Sequence, residues 1–360
     1  MSDAKGPIID GDGHIIENTK EIIALMPPAY AKKFAKQPFL TLFPPLDHLH
    51  YCNLHDIPEG GFNFNTGVEE WFGLLEEIGI EKTVLYPTGG LAMGKIVNPD
   101  WAIDATRAYN DWLHQTYMKR SPKFNAVALL PMQSPDAAVE ELRRAVKELG
   151  MRGAMLPSTG VLSHVGHERY WPIYEEANRL GCAIAVHGGA HSGMGMDDLY
   201  PYAGVHSLGH PYGQMIAFAS VIMNGLPDRF PNVKFAFLEA GVAWLFLCLE
   251  RFDRSYFTHI QNDPRNKYIT LRPKEKVADY IARHIDEGRL FVGCEGEEPD
   301  IAYAIKRLSN KPFVFSSDFP HEVNIEGCKH EIEELRENME ITAADKHAVL
   351  YENSKRLYSF

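Results

Sequence analysis

From residue 68 onward, amphipathic helix-like stretches alternate with short, wholly apolar runs, and no other feature of the chain constrains its fold as tightly. The copy "SPDAAVEELRRAVKELGMRGAMLPS" carries its own punctuation, with Ser134 as N-cap, Pro135 in the first turn and Gly150 as the stop. The same unit recurs in "VEEWFGLLEEIGIEKTVLYPT", "YWPIYEEANRLGCAIAVHG" and "KVADYIARHIDEGRLFVGCEG". With "PIID" as the first strand, eight strands are predicted. Their interiors (VLY, AVALL, AIAV, FAFL, LFV, FVF) are continuously apolar, as parallel strands covered on both faces require. The pattern predicts an α/β fold, a (β/α)8 TIM barrel. A doubly wound open sheet is the competitor, but no Gly-x-Gly-x-x-Gly follows the first strand.

The 360 residues suit one barrel domain spanning 1-360, since such barrels take about 250 residues and grow by loop insertions. Two stretches break the rhythm: a lid-like insertion at 15-67 after strand one, and a Gly-, His- and Tyr-rich one at 188-213 after strand five. The formal charge of -12 argues against nucleic acid or an anionic membrane as partner. Five scattered cysteines without Cys-x-x-Cys spacing read as free thiols in a reducing compartment. The N-terminus lacks a signal-peptide pattern and no apolar stretch is long enough for a membrane span, so a cytoplasmic protein is expected.

In a barrel the C-terminal ends of the strands converge on one mouth. Strand one ends in Asp12 and His14, strand five in His187, strand six in Glu239, strand seven in Cys294 and Glu295, and strand eight in Asp318. Carboxylates and imidazoles gathered over an apolar interior are unfavourable unless paired or bound to a metal. Such a mixed set suits Zn²⁺, Fe²⁺ or Mn²⁺ better than Ca²⁺ or Mg²⁺. Asp12 and His14, two apart on one strand, point the same way and read as ligands. His321, three after Asp318, is expected in the pocket, and His191 and His210 in the strand-five insertion are expected to reach substrate. Of the acidic run Glu295, Glu297 and Glu298, mostly solvated loop, Glu297 is the member expected to face the pocket. His48, His50 and His55 are irregularly spaced and suggest a lid packed over the mouth, not a second metal site. The lid aromatics Phe39, Phe43, Tyr51, Phe62 and Phe64 suggest an apolar or aromatic acid as the small-molecule substrate.

The segments "DGDGH", "AVHGG", "RFPNVKFAFLEAGVAWL" and "FSSDFPH", in this order, resemble the amidohydrolase superfamily. The likeness is to the amidohydrolase-related branch that includes aminocarboxymuconate semialdehyde decarboxylase and related hydrolases and decarboxylases, and it covers essentially the whole chain. It implies a catalytic metal held by Asp12, His14, His187 and Asp318, with Asp318 also handling protons, and a homodimer. This chain departs from the branch in having Asp-x-His on strand one, where decarboxylases often have Glu-x-His, and Glu239 on strand six, where histidine is common. It also has no strand-four lysine to form a bridging carbamate. One essential divalent ion (Zn, Fe or Mn) is expected, with a dinuclear site as the alternative. Glu239 is expected on the metal, or paired with an arginine such as Arg251, or holding a histidine that supports the ligands.

Those departures lead to an expectation of metal-dependent hydrolysis of an ester, thioester, lactone or amide. Water activated at the metal attacks a carbonyl, Asp318 takes and returns the proton, and Glu239 or His321 assists. The alternative is non-oxidative decarboxylation of an aromatic or enol carboxylic acid, with Asp318 protonating carbon. A third reading, a barrel that only binds, is disfavoured because no ligand position on strands one, five or eight has decayed.

Overall fold

A computed structural model describes residues 6-37, 41-50 and 63-360. Eight strands follow one another in chain order: β1 (Ile8–Ile15), β2 (Ile80–Pro87), β3 in two pieces (Phe124–Ala126 and Ala128–Leu129), β4 (Gly153–Pro157), β5 (Ala183–His187), β6 (Lys234–Phe237), β7 (Leu290–Cys294) and β8 (Phe313–Phe315). Each strand pairing among the described residues is parallel and joins sequence neighbours. Val127 splits the ladder within β3 but still donates its N–H to Leu85 O at 3.3 Å. Between β8 and β1, Asp318 N donates to Asp12 O at 3.1 Å and His14 N to Phe319 O at 2.7 Å. The architecture is the expected TIM barrel.

The apolar runs do what their composition requires: Val84, Leu85, Ala154, Leu156, Ile184, Val186, Phe235 and Phe237 are all buried. Full burial of each larger aliphatic or aromatic side chain contributes roughly 1.5–3 kcal/mol. The helix Pro135–Lys147 turns Ala138, Leu142 and Ala145 inward and begins on Pro135 as its sequence predicts. Ser134 occupies the N-cap position but its side chain makes no capping bond there.

Among its described residues the insertion at 15-67 contains two helices, Thr19–Leu25 and Pro28–Lys36, followed by buried Leu42, Leu46 and Leu49. Phe39, Tyr51, Cys52, His55 and Phe62 lie outside the described residues. Of the remaining lid aromatics, Phe43 is buried against Tyr109, whereas Phe64 is half exposed. After β5, the helix Tyr202–Met223 starts well inside the stretch that composition marked as a loop, so His206 and His210 are helical. Pro211 forfeits one backbone bond, and the helix is held instead by Gln214, whose Nε2 donates to Val186 O and Leu238 O. Among the described residues no helix is long and apolar enough to cross a membrane. Cys182, Cys248, Cys294 and Cys328 are buried free thiols.

Glu331, on the helix Ile325–Glu337, is buried against the backbone of Gly296, and its Oε2 has no hydrogen-bond partner. Burial, then the charges of Glu297 and Asp318, push its carboxyl up to about 8. A raised carboxyl contributes stability that is complete below its ordinary value of 4.5 and is lost as pH rises through about 8. Glu331→Gln is therefore expected to raise Tm by a few degrees at pH 8, on the order of 1–3 kcal/mol, and by much less at pH 5. Thermal melts at the two pH values check this; an equal shift at both would refute the assignment.

Candidate metal centre

β1 brings Asp12 and His14 to one side of the barrel mouth, and a residue below them fixes the strand. Asp10, fully buried, accepts from Thr83 Oγ1 at 2.6 Å and from Ser317 N at 3.0 Å, tying β1 to β2 and to the chain after β8. Burial raises its carboxyl to about 6. His14 Nδ1 meets Pro87 O at 2.7 Å and therefore donates, which leaves the Nε2 lone pair facing the mouth. His187, at the end of β5, stacks on Tyr86 with ring centroids 5.5 Å apart.

The remaining carboxylates arrive on strained backbone. Glu239 and Asp318 follow β6 and β8 with φ of 55° and 48°, a left-handed conformation that is unfavourable by about 1–3 kcal/mol for a non-glycine residue. That conformation turns them toward the histidines. His14 Nε2 lies 3.6 Å from Asp12 Oδ1 and 3.5 Å from Asp318 Oδ1. His187 Nε2 lies 3.5 Å from Asp12 Oδ2 and 3.1 Å from Glu239 Oε2.

Five donor atoms at this mouth are buried without a hydrogen-bond partner among the described residues, namely both oxygens of Asp12, His14 Nε2, His187 Nε2 and Glu239 Oε2, and Asp318 Oδ1 joins them with His321 Nδ1 2.8 Å away. Buried polar atoms are rarely left so, because each is unfavourable by about 1–3 kcal/mol. Their separations of 3.1–3.6 Å lie at or slightly beyond the roughly 3.0–3.4 Å between neighbouring ligands around a small divalent cation, so small side-chain adjustments would bring them onto one ion. The residues therefore fit a metal ion, and both {Asp12, His14, His187} and {His14, Glu239, Asp318, His321} offer suitably close atoms.

Electrostatics point the same way. Burial holds His14 well below its ordinary range, which keeps its ring neutral and ready to ligate. Burial opposes charge on His187 too, yet Glu239 and Asp12 outweigh it and lift the imidazole to about 9. His321 is lifted against its burial by Asp318 and Glu239. Burial and Glu239 push Asp318 up to about 7, partly offset by His321. Glu239 is pulled well below its usual range, against its burial, by His210, His187 and His321. The carboxylates thus call for positive charge, which a divalent cation would supply in place of protons on the histidines.

Around this group, His321 Nδ1 lies 2.8 Å from Asp318 Oδ1 while its Nε2 meets Thr88 Oγ1 at 2.9 Å. Thr88 is held in turn by Glu17, which accepts from the backbone N–H groups of Thr88, Gly89 and Gly90. His210 Nε2 lies 3.7 Å from Glu239 Oε2. Arg251 is exposed, so the arginine alternative for Glu239 is replaced by a ring of histidines. His191 is buried, with Nδ1 on Asp47 Oδ2 at 2.9 Å and Nε2 on His210 Nδ1 at 3.4 Å. Glu297 is exposed, and it is Glu295 whose carboxyl is buried toward Asp318 and pushed up to about 8. The sequence assigns no role to Asp10, Glu17 or Asp47, and places Thr88 only as the end of strand two. Asp10 alone carried a signal there, as a carboxylate in the middle of an apolar run.

A parallel (β/α)8 barrel with imidazoles and carboxylates converging on partnerless donor atoms defines the class of metal-dependent barrel enzymes. Within that class the chain belongs to the amidohydrolase family: a family profile described as Amidohydrolase matches residues 87–360. A curated relative is 2-amino-3-carboxymuconate-6-semialdehyde decarboxylase of Dictyostelium discoideum, 25% identical over 254 residues, covering 68% of this chain and 67% of the relative. Another is gamma-resorcylate decarboxylase of a Polaromonas species, 26% identical over 300 residues, covering 79% of this chain and 85% of the relative. Among solved structures, dihydroxybenzoic acid decarboxylase from Polaromonas, with bound manganese and 2-nitroresorcinol, superposes with a TM-score of 0.67 at 20% identity, over 98% of this chain and 96% of that one. The manganese-bound 5-carboxyvanillate decarboxylase of Novosphingobium aromaticivorans gives a TM-score of 0.73 at 14% identity, over 100% of this chain and 99% of that one.

These relatives correct the expectation of hydrolysis, because they are decarboxylases. The expectation had rested on Asp12 in place of glutamate and on the missing strand-six histidine. Neither difference removes the chemistry. Asp12 still places two oxygens among the donor atoms, and a histidine does stand beside Glu239, namely His210, contributed by a helix instead of β6.

Proposed function

We propose that this chain is a divalent-metal-dependent, non-oxidative decarboxylase of an aromatic or enol carboxylic acid. The observation that carries the reading is the placement of Asp318, a buried carboxyl set 3.5 Å from His14 Nε2 within the donor cluster and 2.8 Å from His321 Nδ1. A buried carboxyl beside an imidazole that can resupply its proton is placed to act as the acid that protonates carbon. The activities of the curated relatives, on a carboxymuconate semialdehyde and on resorcylate, support the same choice.

Asp12, His14, His187 and Asp318 are the residues that would hold the ion. His14 belongs to both donor groups and has one nitrogen left to offer, which favours a single ion. Manganese, bound in two solved neighbours, is the first candidate. When bound, the cation supplies Lewis acidity that draws in and orients the oxygens of the substrate. Asp318 then donates its proton to the carbon bearing the carboxylate. The carbon–carbon bond breaks, its electron pair returns to the ring or enol, and CO2 leaves. His321, between Asp318 and Thr88, is placed to return a proton to Asp318. The insertion at 15-67 belongs to the same catalytic domain, its described part meeting the loop after β5 where Leu46 O accepts from His191 N, and the free buried thiols fit a cytoplasmic setting.

The test is to reconstitute the protein with Mn²⁺ and offer 2,6-dihydroxybenzoate, further hydroxybenzoates and enol carboxylates in D2O. CO2 release is expected, with one deuterium at the vacated carbon and no requirement for a redox cofactor. Failure on every member of the panel by protein carrying its ion would overturn the reading.

A further inference from the structure

We propose that Asp47, in the insertion after β1, is a positioning residue that sets the tautomer of His210 through His191. The segment carrying Asp47 is docked onto the loop after β5: His191 N donates to Leu46 O at 2.9 Å, and His48 Nε2 meets Leu199 O at 2.8 Å. Asp47, His191 and His210 are all buried.

The carboxylate is itself fixed. Asp47 Oδ1 accepts from the N–H groups of Leu49 at 2.7 Å and His50 at 2.8 Å. Its Oδ2 lies 2.6 Å from His50 Nδ1 and 2.9 Å from His191 Nδ1. An ionised carboxylate only accepts hydrogen bonds, so His191 carries its proton on Nδ1 and, as a neutral ring, presents Nε2 as an acceptor. His210 Nδ1, 3.4 Å away, must then be the donor. The Nε2 lone pair of His210 is left facing Glu239 Oε2 at 3.7 Å, so two acceptors converge on the centre. One carboxylate in the insertion thereby dictates a proton position two imidazoles away.

Two glycines make room for this arrangement: a Cβ at Gly188 would overlap the His210 ring, and one at Gly209 the His191 ring. The trio Asp47, His50 and His191 could also be taken for a metal site. Its spacings of 2.6 and 2.9 Å are hydrogen-bond lengths, shorter than the roughly 3.3 Å between ligands around tetrahedral zinc.

The experiment uses full-length protein labelled with ¹⁵N-histidine and reconstituted with Zn²⁺, a diamagnetic ion, and reads imidazole tautomers from nitrogen shifts and long-range couplings. His191 and His210 are both expected as Nδ1–H tautomers. Asp47→Ala is expected to shift both toward Nε2–H and to lower kcat roughly 10–100-fold with a smaller change in KM. His48→Ala, which loosens the same segment without touching the relay, is expected to leave tautomers and kcat unchanged. An Nε2–H tautomer at His210 in the unaltered protein overturns the proposal even where the variant does not fold, as do unchanged tautomers in a folded Asp47→Ala protein. The kinetic arm rests on the decarboxylase reading. The tautomer arm does not, so a relay without decarboxylation would indict the reaction and spare Asp47.

Discussion

Replacement of His14 by alanine is expected to strip the divalent ion from the protein and to lower activity by at least about a thousandfold, the equivalent of several kcal/mol of lost electrostatic stabilisation. His14 is the one histidine shared by both donor groups at the mouth, and its orientation is set by Pro87 O at 2.7 Å. Without it, Asp12 and Asp318 face each other across a gap with no neutral donor between them, and the affinity of the remaining oxygens for a cation of zinc or manganese type falls. The fold is expected to survive, because the ring makes a single hydrogen bond, worth about 1 kcal/mol, and the surrounding strands are held by their own ladders. Elemental analysis on matched preparations, with circular dichroism for the fold, checks both halves. A folded variant that keeps its ion with undiminished affinity would remove His14 from the ligand set.

The contrast between what the sequence displayed and what it concealed follows from the range of the interactions involved. Strands β2 to β8 were legible because each contains a short apolar run, most of them with Gly or Pro close by, and a barrel turns the end of each such run into a position at the mouth. Asp12, His14, His187, Glu239 and Asp318 could be read for that reason. Asp47 could not, since its contact with His191 spans 144 residues and nothing in "PPLDHLHY" singles it out from the histidines beside it. The helix holding His210 was hidden by Gly209 and Pro211, which weaken local helix propensity and are overridden by the long-range bonds of Gln214. Glu295 and Glu297 differ by two positions and have equal local propensity, and only the path of the loop after β7 half-buries one and exposes the other.

Asp318→Asn separates binding from proton transfer and is expected to lower kcat by roughly 10²–10⁴-fold while the ion remains bound. The amide keeps an oxygen that can ligate, and it keeps the shape that fits the turn in which His321 N donates to Asp318 O at 2.9 Å. What it lacks is a transferable proton. Burial raises the carboxyl to about 7, so the acid form required for protonating carbon is present below that value and is lost above it. The unaltered enzyme should therefore show kcat falling as pH rises along a limb governed by Asp318, and a bound cation moves that limb to lower pH without changing its direction. The variant should show a low rate without that limb. Profiles of kcat from pH 5 to 9, with metal content measured at each end, distinguish the cases. Loss of the ion on the scale of His14→Ala would make Asp318 chiefly a ligand, and an unchanged limb in the variant would assign the titrating acid elsewhere. His321 is the next candidate, because its Nδ1 stands 2.8 Å from Asp318 and its charge is sustained by the same carboxylates.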